Sequence, residues 1–279
     1  MIGASLMQPS FQVLGVRVDA VQMSDTVARL RSWIDDRRSV ARFVAVTGMH
    51  GIAESQQNSQ FRQILNAADL VVPDGMPLVW LGRLKGHPLR QRVCGAELMD
   101  EFCQVSGKDY RHFFYGGAPE VAERLARVLH EKHGIVIAGT YTPPFRPLTE
   151  AEGKELASFV ERTSPDVLWV GLSTPKQESW MYEQRHKLKV PLMLGVGAAF
   201  DMNSGTLRRA PKWMREHGLE WLFRLTSEPR RLWRRYLVTI PKALWFVCLE
   251  LLKFSRSRSD PGQGAGSTAT NSTGESSTS

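Results

Sequence analysis

The sequence predicts an α/β protein: a Rossmann-like, mostly parallel sheet flanked by helices, followed by a basic helical C-terminal appendage. Two observations carry that prediction. Up to residue 204, short apolar runs alternate with helical stretches, the pattern of a doubly wound parallel sheet. Charge is the second: Gly205 to Arg258 holds 13 Lys and Arg against 4 Asp and Glu, whereas the remainder holds 23 against 24. A near-neutral body (1–204) therefore precedes a basic, Trp-rich segment (205–254), whose partners are anionic: phosphate, nucleic acid or an acidic membrane surface. A Ser/Gly/Thr-rich tail (255–279) has too few apolar residues to fold and is expected to be disordered.

The elements follow in order. Phe11 to Val21 alternates in short strand-like runs, and Ser24 is placed to cap a helix through about Asp36. Arg42 to Val46 reads as a strand ending at Thr47-Gly48, followed by helical stretches over 51–57 and 59–67. Leu70 to Val72 is a buried strand, broken by Pro73-Asp74-Gly75 before a helix over 76–85, and a further helix covers 96–105. His112 to Tyr115 is a strand turned by Gly116-Gly117 into a helix that Pro119 opens. Ile135 to Tyr141 is a strand, and Thr149 with Glu152 forms a capping box for the next helix. Asp166 to Gly171 is continuously apolar, as strands buried on both faces are. Pro175 opens a helix, Val190 to Val196 is the last strand, and short basic helices are expected from Pro211 onward.

Composition narrows the class. An apolar fraction of 42% in 279 residues is that of an ordinary soluble core. Cys94, Cys103 and Cys248 have no C-x-x-C spacing, which suggests neither a disulfide framework nor a zinc site and fits a reducing cytosol. The N-terminus lacks a basic, then apolar, signal pattern. Residues 236–252 contain Pro241, Lys242 and Glu250 and fall short of the about 20 apolar residues a span requires. Instead Trp233, Tyr236, Leu237, Ile240, Leu244, Val247 and Leu251 recur at helical spacing beside Arg230, Arg231, Arg234, Arg235 and Lys242. Such a helix either lies in a membrane interface or packs on the body or on a second subunit.

The candidate chemistry sits at strand ends, where open α/β sheets bind ligands. Asp74 is held between a φ-locked Pro and a φ-permissive Gly, an arrangement that suits both a plain β-turn and a catalytic carboxylate. Gly116-Gly117, Gly171 through Gln177, and Gly195-Val196-Gly197 through Asp201 are three further strand–glycine–helix junctions. Glycines there let a phosphate approach helix N–H groups, or serve close packing. Lys176 is suited to a phosphate, Gln177 to a sugar hydroxyl, and Arg92 adds a cation near the same edge. The full dinucleotide fingerprint is missing, the seven histidines show no ligand spacing, and no nucleophile-elbow pattern occurs. No metal and no cofactor are expected.

The segments N-A-A-D-L-V-V-P-D-G-M-P-L-V-W, R-V-C-G-A-E-L-M, F-F-Y-G-G, G-L-S-T-P-K-Q-E, G-V-G-A-A-F-D and R-R-A-P-K-W-M resemble the WecG/TagA/CpsF family of bacterial glycosyltransferases. The stretch from Gly218 to Tyr236 is similar to that family's C-terminal appendage. The resemblance implies a metal-independent, inverting enzyme on the cytoplasmic face of the membrane. It would transfer a hexose or N-acetylhexosamine from a UDP-sugar to an undecaprenyl-diphosphate-linked saccharide in polysaccharide synthesis. It gives Asp74 the role of general base, Gln177 that of positioning substrate, and Arg224, Arg231 and Arg234 that of meeting the diphosphate. Many members carry an Asn where this chain has Thr47-Gly48-Met49-His50, and Thr47 and His50 are the nearest substitutes. Two other classes compete with the enzyme: a nucleic-acid-binding protein using the basic segment, and an inactive scaffold. The Asp74 loop and the glycine junctions favour an enzyme without a nucleic-acid partner.

Overall fold

The computed structural model describes residues 9–36 and 40–258. A hairpin, β1 (Ser10–Val13) and β2 (Val16–Asp19), leads into α1 (Met23–Asp35). Six parallel strands then form the main sheet in the order β4-β3-β8-β7-β5-β6. These are β3 (Arg42–Thr47), β4 (Leu70–Pro73), β5 (Arg111–Gly116), β6 (Val136–Tyr141), β7 (Val167–Gly171) and β8 (Leu192–Gly195). The predicted Rossmann-like architecture is present.

Side chains alternate faces along each strand, so the sheet has two cores. Val44, Val46, Phe114, Trp169 and Leu194 face α1, α5 (Gly95–Ser106) and α6 (Val121–His133). Phe43, Ala45, Phe113, Leu168 and Met193 face the hairpin and five helices. Those helices are α2 (Met49–Gln57), α3 (Ser59–Asn66), α4 (Met76–Leu84), α7 (Glu150–Thr163) and α8 (Lys176–Gln184). Coverage on both sides explains why the strands other than the edge strand β6 read as largely apolar runs. His112 is part of this core: its Nδ1 accepts from Trp169 Nε1 at 3.0 Å, and burial pushes its pKa down to about 4.

Two expected helix starts shift. The first helix begins at Met23 with Gln22 at the cap, whose N–H donates to Asp25 at 3.1 Å; Ser24 lies inside. Pro119 does not open α6. The positive φ of Gly116, Gly117 and Glu120 adds a turn, and the helix starts at Val121. The Thr149–Glu152 capping box forms as expected.

Beyond the sheet come α9 (Ala199–Asn203), α10 (Lys212–Glu216), α11 (Glu220–Ser227) and α12 (Pro229–Arg258). The last helix packs on α2 and α11 and is tied to the end of α4 by a Lys85–Glu250 ion pair at 2.8 Å. It runs past the expected start of the tail at residue 255, and residues 259–279 lie outside the described part. Among the described residues no helix is long and apolar enough to cross a membrane.

Candidate active site

The tip of β4 is clamped from both sides. The Asp74 N–H donates to Thr47 O at 2.9 Å, and Val93 N–H donates to Pro73 O at 3.0 Å. Those two bonds hold Asp74 between the end of β3 and the segment bearing Arg92. Gly48 allows the approach, since a Cβ there would lie 2.6 Å from the Asp74 carbonyl oxygen. Gly75 then takes φ +104°, a conformation that disfavours side chains, and turns the chain into α4.

Asp74 lies in a cavity of about 600 Å³ at the C-terminal edge of the sheet. Its walls come from the starts of α2 (Met49, His50), α4 (Met76) and α8 (Gln177), and from the turn at Gly197. The appendage closes the far side with Arg215, Trp221, Arg224, Tyr236 and Val247. The volume is in the range of small-molecule sites, and several helix N-termini open onto it, which favours an anionic ligand.

The charged groups form a chain across this cavity. Arg92 Nη1 stands 3.3 Å from Asp74 Oδ1, while Nη2 is 2.7 Å from Glu220 and 3.9 Å from Glu97. Glu97 in turn pairs with Arg209 at 2.9 Å and with Arg215. Core and appendage are thus joined by ion pairs around the guanidinium of Arg92. Enclosure by the cavity walls raises the Asp74 pKa to about 6; Arg92 opposes the rise, and Glu220 and Glu97 add to it. The side chain keeps about 34% of its surface open to the cavity, so the carboxylate is recessed but reachable. A carboxylate with that pKa is a competent base at neutral pH.

Gln177 and Glu178 form a second, fully buried polar group. Glu178 Oε1 accepts from Thr174 Oγ1 at 2.8 Å and from Gln177 Nε2 at 3.0 Å. Burial raises the Glu178 pKa, against those two hydrogen bonds. With its nitrogen committed to Glu178, Gln177 turns Oε1 toward Gly197, where it lacks a protein partner. Gly195 makes room for this amide, because a Cβ there would fall 3.1 Å from Gln177 Nε2.

The structure brings Asp74, Arg92, His50, Gln177, Gly197 and Arg224 together around one cavity. Other expected residues stand outside its lining. Gly116, Gly117 and Gly171 serve packing: a Cβ on Gly116 would meet Gly171 O at 2.7 Å, one on Gly117 would meet Val121, and one on Gly171 would meet the Phe200 ring at 2.6 Å. Lys176 is exposed at the start of α8 and is outside the cavity lining. Thr47 is buried beneath α2, and Asp201 lies on α9, its carbonyl accepting from Leu207 N–H at 2.9 Å. Gly195 is buried behind Gln177. The side chains of Arg231 and Arg234 lie outside the described ones.

Three residues of the site went unforeseen. Glu178 follows Lys176 by two positions in sequence, yet its position on α8 leaves it fully buried. Glu97 and Glu220 resemble ordinary helix-surface acids until the fold brings them to Arg92. The expected apolar stripe of α12 is also divided. Tyr236, Leu244 and Val247 of that stripe line the cavity, whereas Trp233, Leu237 and Leu251 are exposed; outside the stripe, Leu232 is buried and Trp245 and Leu252 are exposed. Among the described residues no group of three His, Cys, Asp or Glu is placed to hold a metal ion.

Comparison with known proteins identifies the family. The model of the glycosyl transferase WecG/TagA/CpsF family matches residues 11–257, from the hairpin to the last helix. The chain is similar to an N-acetylglucosaminyldiphosphoundecaprenol N-acetyl-beta-D-mannosaminyltransferase of Bacillus spizizenii, with 33% identity covering 86% of this chain and 90% of the other. A Staphylococcus aureus protein of the same description is 24% identical, covering 88% and 95%. Matches of that extent include both the sheet and the appendage that closes the cavity. The chain belongs to the WecG/TagA/CpsF family of glycosyl transferases.

Proposed function

We propose that this protein transfers an N-acetylhexosamine, N-acetylmannosamine in first place, from its UDP derivative to a saccharide carried on a polyprenyl diphosphate. The choice of sugar and acceptor rests on what the similar Bacillus and Staphylococcus proteins are described as doing. The observation that carries the reading is the recessed Asp74, with a pKa of about 6, in a cavity closed by a basic appendage.

The reaction follows from the placement of charge. The acceptor hydroxyl lies against Asp74, which takes its proton as the new C–O bond forms. The bond from the anomeric carbon to the UDP oxygen breaks on the opposite face, so a single displacement inverts that carbon. Negative charge grows on the leaving diphosphate and is met by Arg224 and by the N-termini of α2 and α4. Arg231 and Arg234, on the first turns of α12, are proposed to add to this charge. Gln177 offers its free Oε1 to a sugar hydroxyl.

Membrane contact belongs to the same proposal. Trp213, Trp233, Leu237, Trp245 and Leu252 of the appendage are exposed, as are Trp80 and Leu84 of α4. An exposed apolar surface next to a cationic segment is what an interfacial helix needs. It would bring the cavity to a lipid-linked acceptor at the membrane face, with the protein as a peripheral rather than spanning component.

The test is a screen of UDP-sugars against a prenyl-diphosphate-linked N-acetylglucosamine. The expected result is a β-linked disaccharide from UDP-N-acetylmannosamine and inversion of the α-linked donor. Absence of transfer from every UDP-sugar, together with salt-sensitive RNA binding, would overturn the proposal in favour of a nucleic-acid-binding role.

A further inference from the structure

Arg92 is shared between the cavity floor and the appendage, and its sharing is uneven. Its Nη2 forms a close ion pair with Glu220 Oε2 at 2.7 Å, without hydrogen-bond alignment, whereas its Nη1 donates a long hydrogen bond to Asp74 Oδ1 at 3.3 Å. Glu97, the third acid, is 3.9 Å away and is engaged by Arg209 and Arg215. The guanidinium is nearly enclosed, and Glu220 is only 16% exposed, so these contacts act in a medium where charge is weakly screened.

From this arrangement we infer that Glu220 is a positioning residue for the transfer reaction: by holding Arg92 from the appendage side, it keeps the Asp74 carboxylate free to accept a proton. An arginine committed to Asp74 through both nitrogens would stabilise the carboxylate and weaken it as a base. Glu220 takes one of those nitrogens. It also places a second negative charge near Asp74, which makes the protonated form easier to reach. The appendage thereby does more than close the cavity. It sets the proton affinity of a group carried by the core.

Several other groups face Asp74 and have to be separated from this effect. His50 of α2, Cys94 and Glu97 around the start of α5, Arg215 of α10, His217, and Arg224 of α11 line or border the same cavity. A direct titration of the Asp74 carboxyl carbon by NMR, in the full-length protein with labelled aspartate, distinguishes it from all of them. Glu220→Gln is expected to lower the Asp74 midpoint by about one pH unit, and Glu220→Asp to retain most of the native value. In the pH profile of transfer, the acid limb of Glu220→Gln moves the same way, while the rate on the plateau falls about three- to tenfold, because a weaker base draws the proton less strongly.

Arg215→Gln is the control for simple detachment, since it unlinks the neighbouring helix from Glu97 without touching Arg92. An unchanged Asp74 midpoint in Glu220→Gln would overturn the inference, as would an equal shift in Arg215→Gln. The inference rests on Asp74 as the base, yet the two fail separately. Full transfer by Asp74→Asn removes the base, whereas an unmoved carboxyl midpoint removes only the role of Glu220.

Discussion

The Asp74 carboxylate and the Arg92 guanidinium meet through Oδ1 and Nη1 at 3.3 Å, while the other guanidinium nitrogen is turned to Glu220 at 2.7 Å. The Asp74 contact is a single, long hydrogen bond from one guanidinium nitrogen. It leaves the carboxylate half committed, and the cavity raises its pKa to about 6.

That pKa predicts a rate profile. Transfer should fall as pH drops through about 6, because Asp74 must be ionised to act as base. The effect on stability has the opposite sense. Since the folded pKa exceeds that of the unfolded chain, the stabilising contribution of Asp74 is complete below about 4 and is lost as pH rises through 6. Asp74→Asn should therefore melt no lower than wild type at pH 8, which thermal denaturation checks directly.

Glu178 is predicted to act through Gln177. Glu178→Leu removes the acceptor that orients the Gln177 amide and lets that amide turn its nitrogen to the cavity. Loss of one such hydrogen bond is worth about 1–1.5 kcal/mol, so kcat/KM should fall roughly tenfold. UDP affinity should change little, as measured by calorimetry.

Arg224 is predicted to bind the diphosphate. Arg224→Gln should weaken UDP binding by about 10- to 100-fold, the range expected for losing a charge-assisted contact. Equilibrium binding of UDP gives this number without an acceptor. A chain ending at residue 204 should lose both transfer and binding to anionic liposomes; full activity from it would remove the appendage from the mechanism.

Gly171 separates packing from phosphate binding. Gly171→Ala places a methyl 2.6 Å from the Phe200 ring, and overpacking of this kind costs about 1–3 kcal/mol. The variant should melt earlier yet bind UDP as wild type does when folded.

The contrast between Gly171 and Asp74 shows what the sequence discloses. Asp74 was legible because a carboxylate between Pro and Gly, after an apolar run, marks a strand end at the edge where ligands bind. The glycines of Gly116-Gly117 and Gly171 look the same on paper, but a tight backbone approach and a phosphate cradle make the same demand on the side chain. Only the neighbours decide, and here they are Val121 and Phe200. The inner sheet was readable because β3, β7 and β8 are buried on both faces and largely apolar, whereas the edge strand β6 has no buried residue. Glu97 and Glu220 were not readable, because ion pairs such as Arg92–Glu220 and Glu97–Arg215 join residues far apart in the chain and leave no local trace. Lys176 and Gln177 are adjacent in sequence, yet only Gln177 lines the cavity, since successive residues on a helix point in different directions.

The central claim is that Asp74 removes the proton from the acceptor. Its most direct test is Asp74→Asn, assayed for sugar transfer to a prenyl-diphosphate-linked acceptor and, on the same preparation, for UDP binding. Transfer reduced by at least 100-fold, with UDP affinity near wild type, is the expected result. Transfer within a few-fold of wild type would contradict it and leave the deprotonation to another group in the cavity.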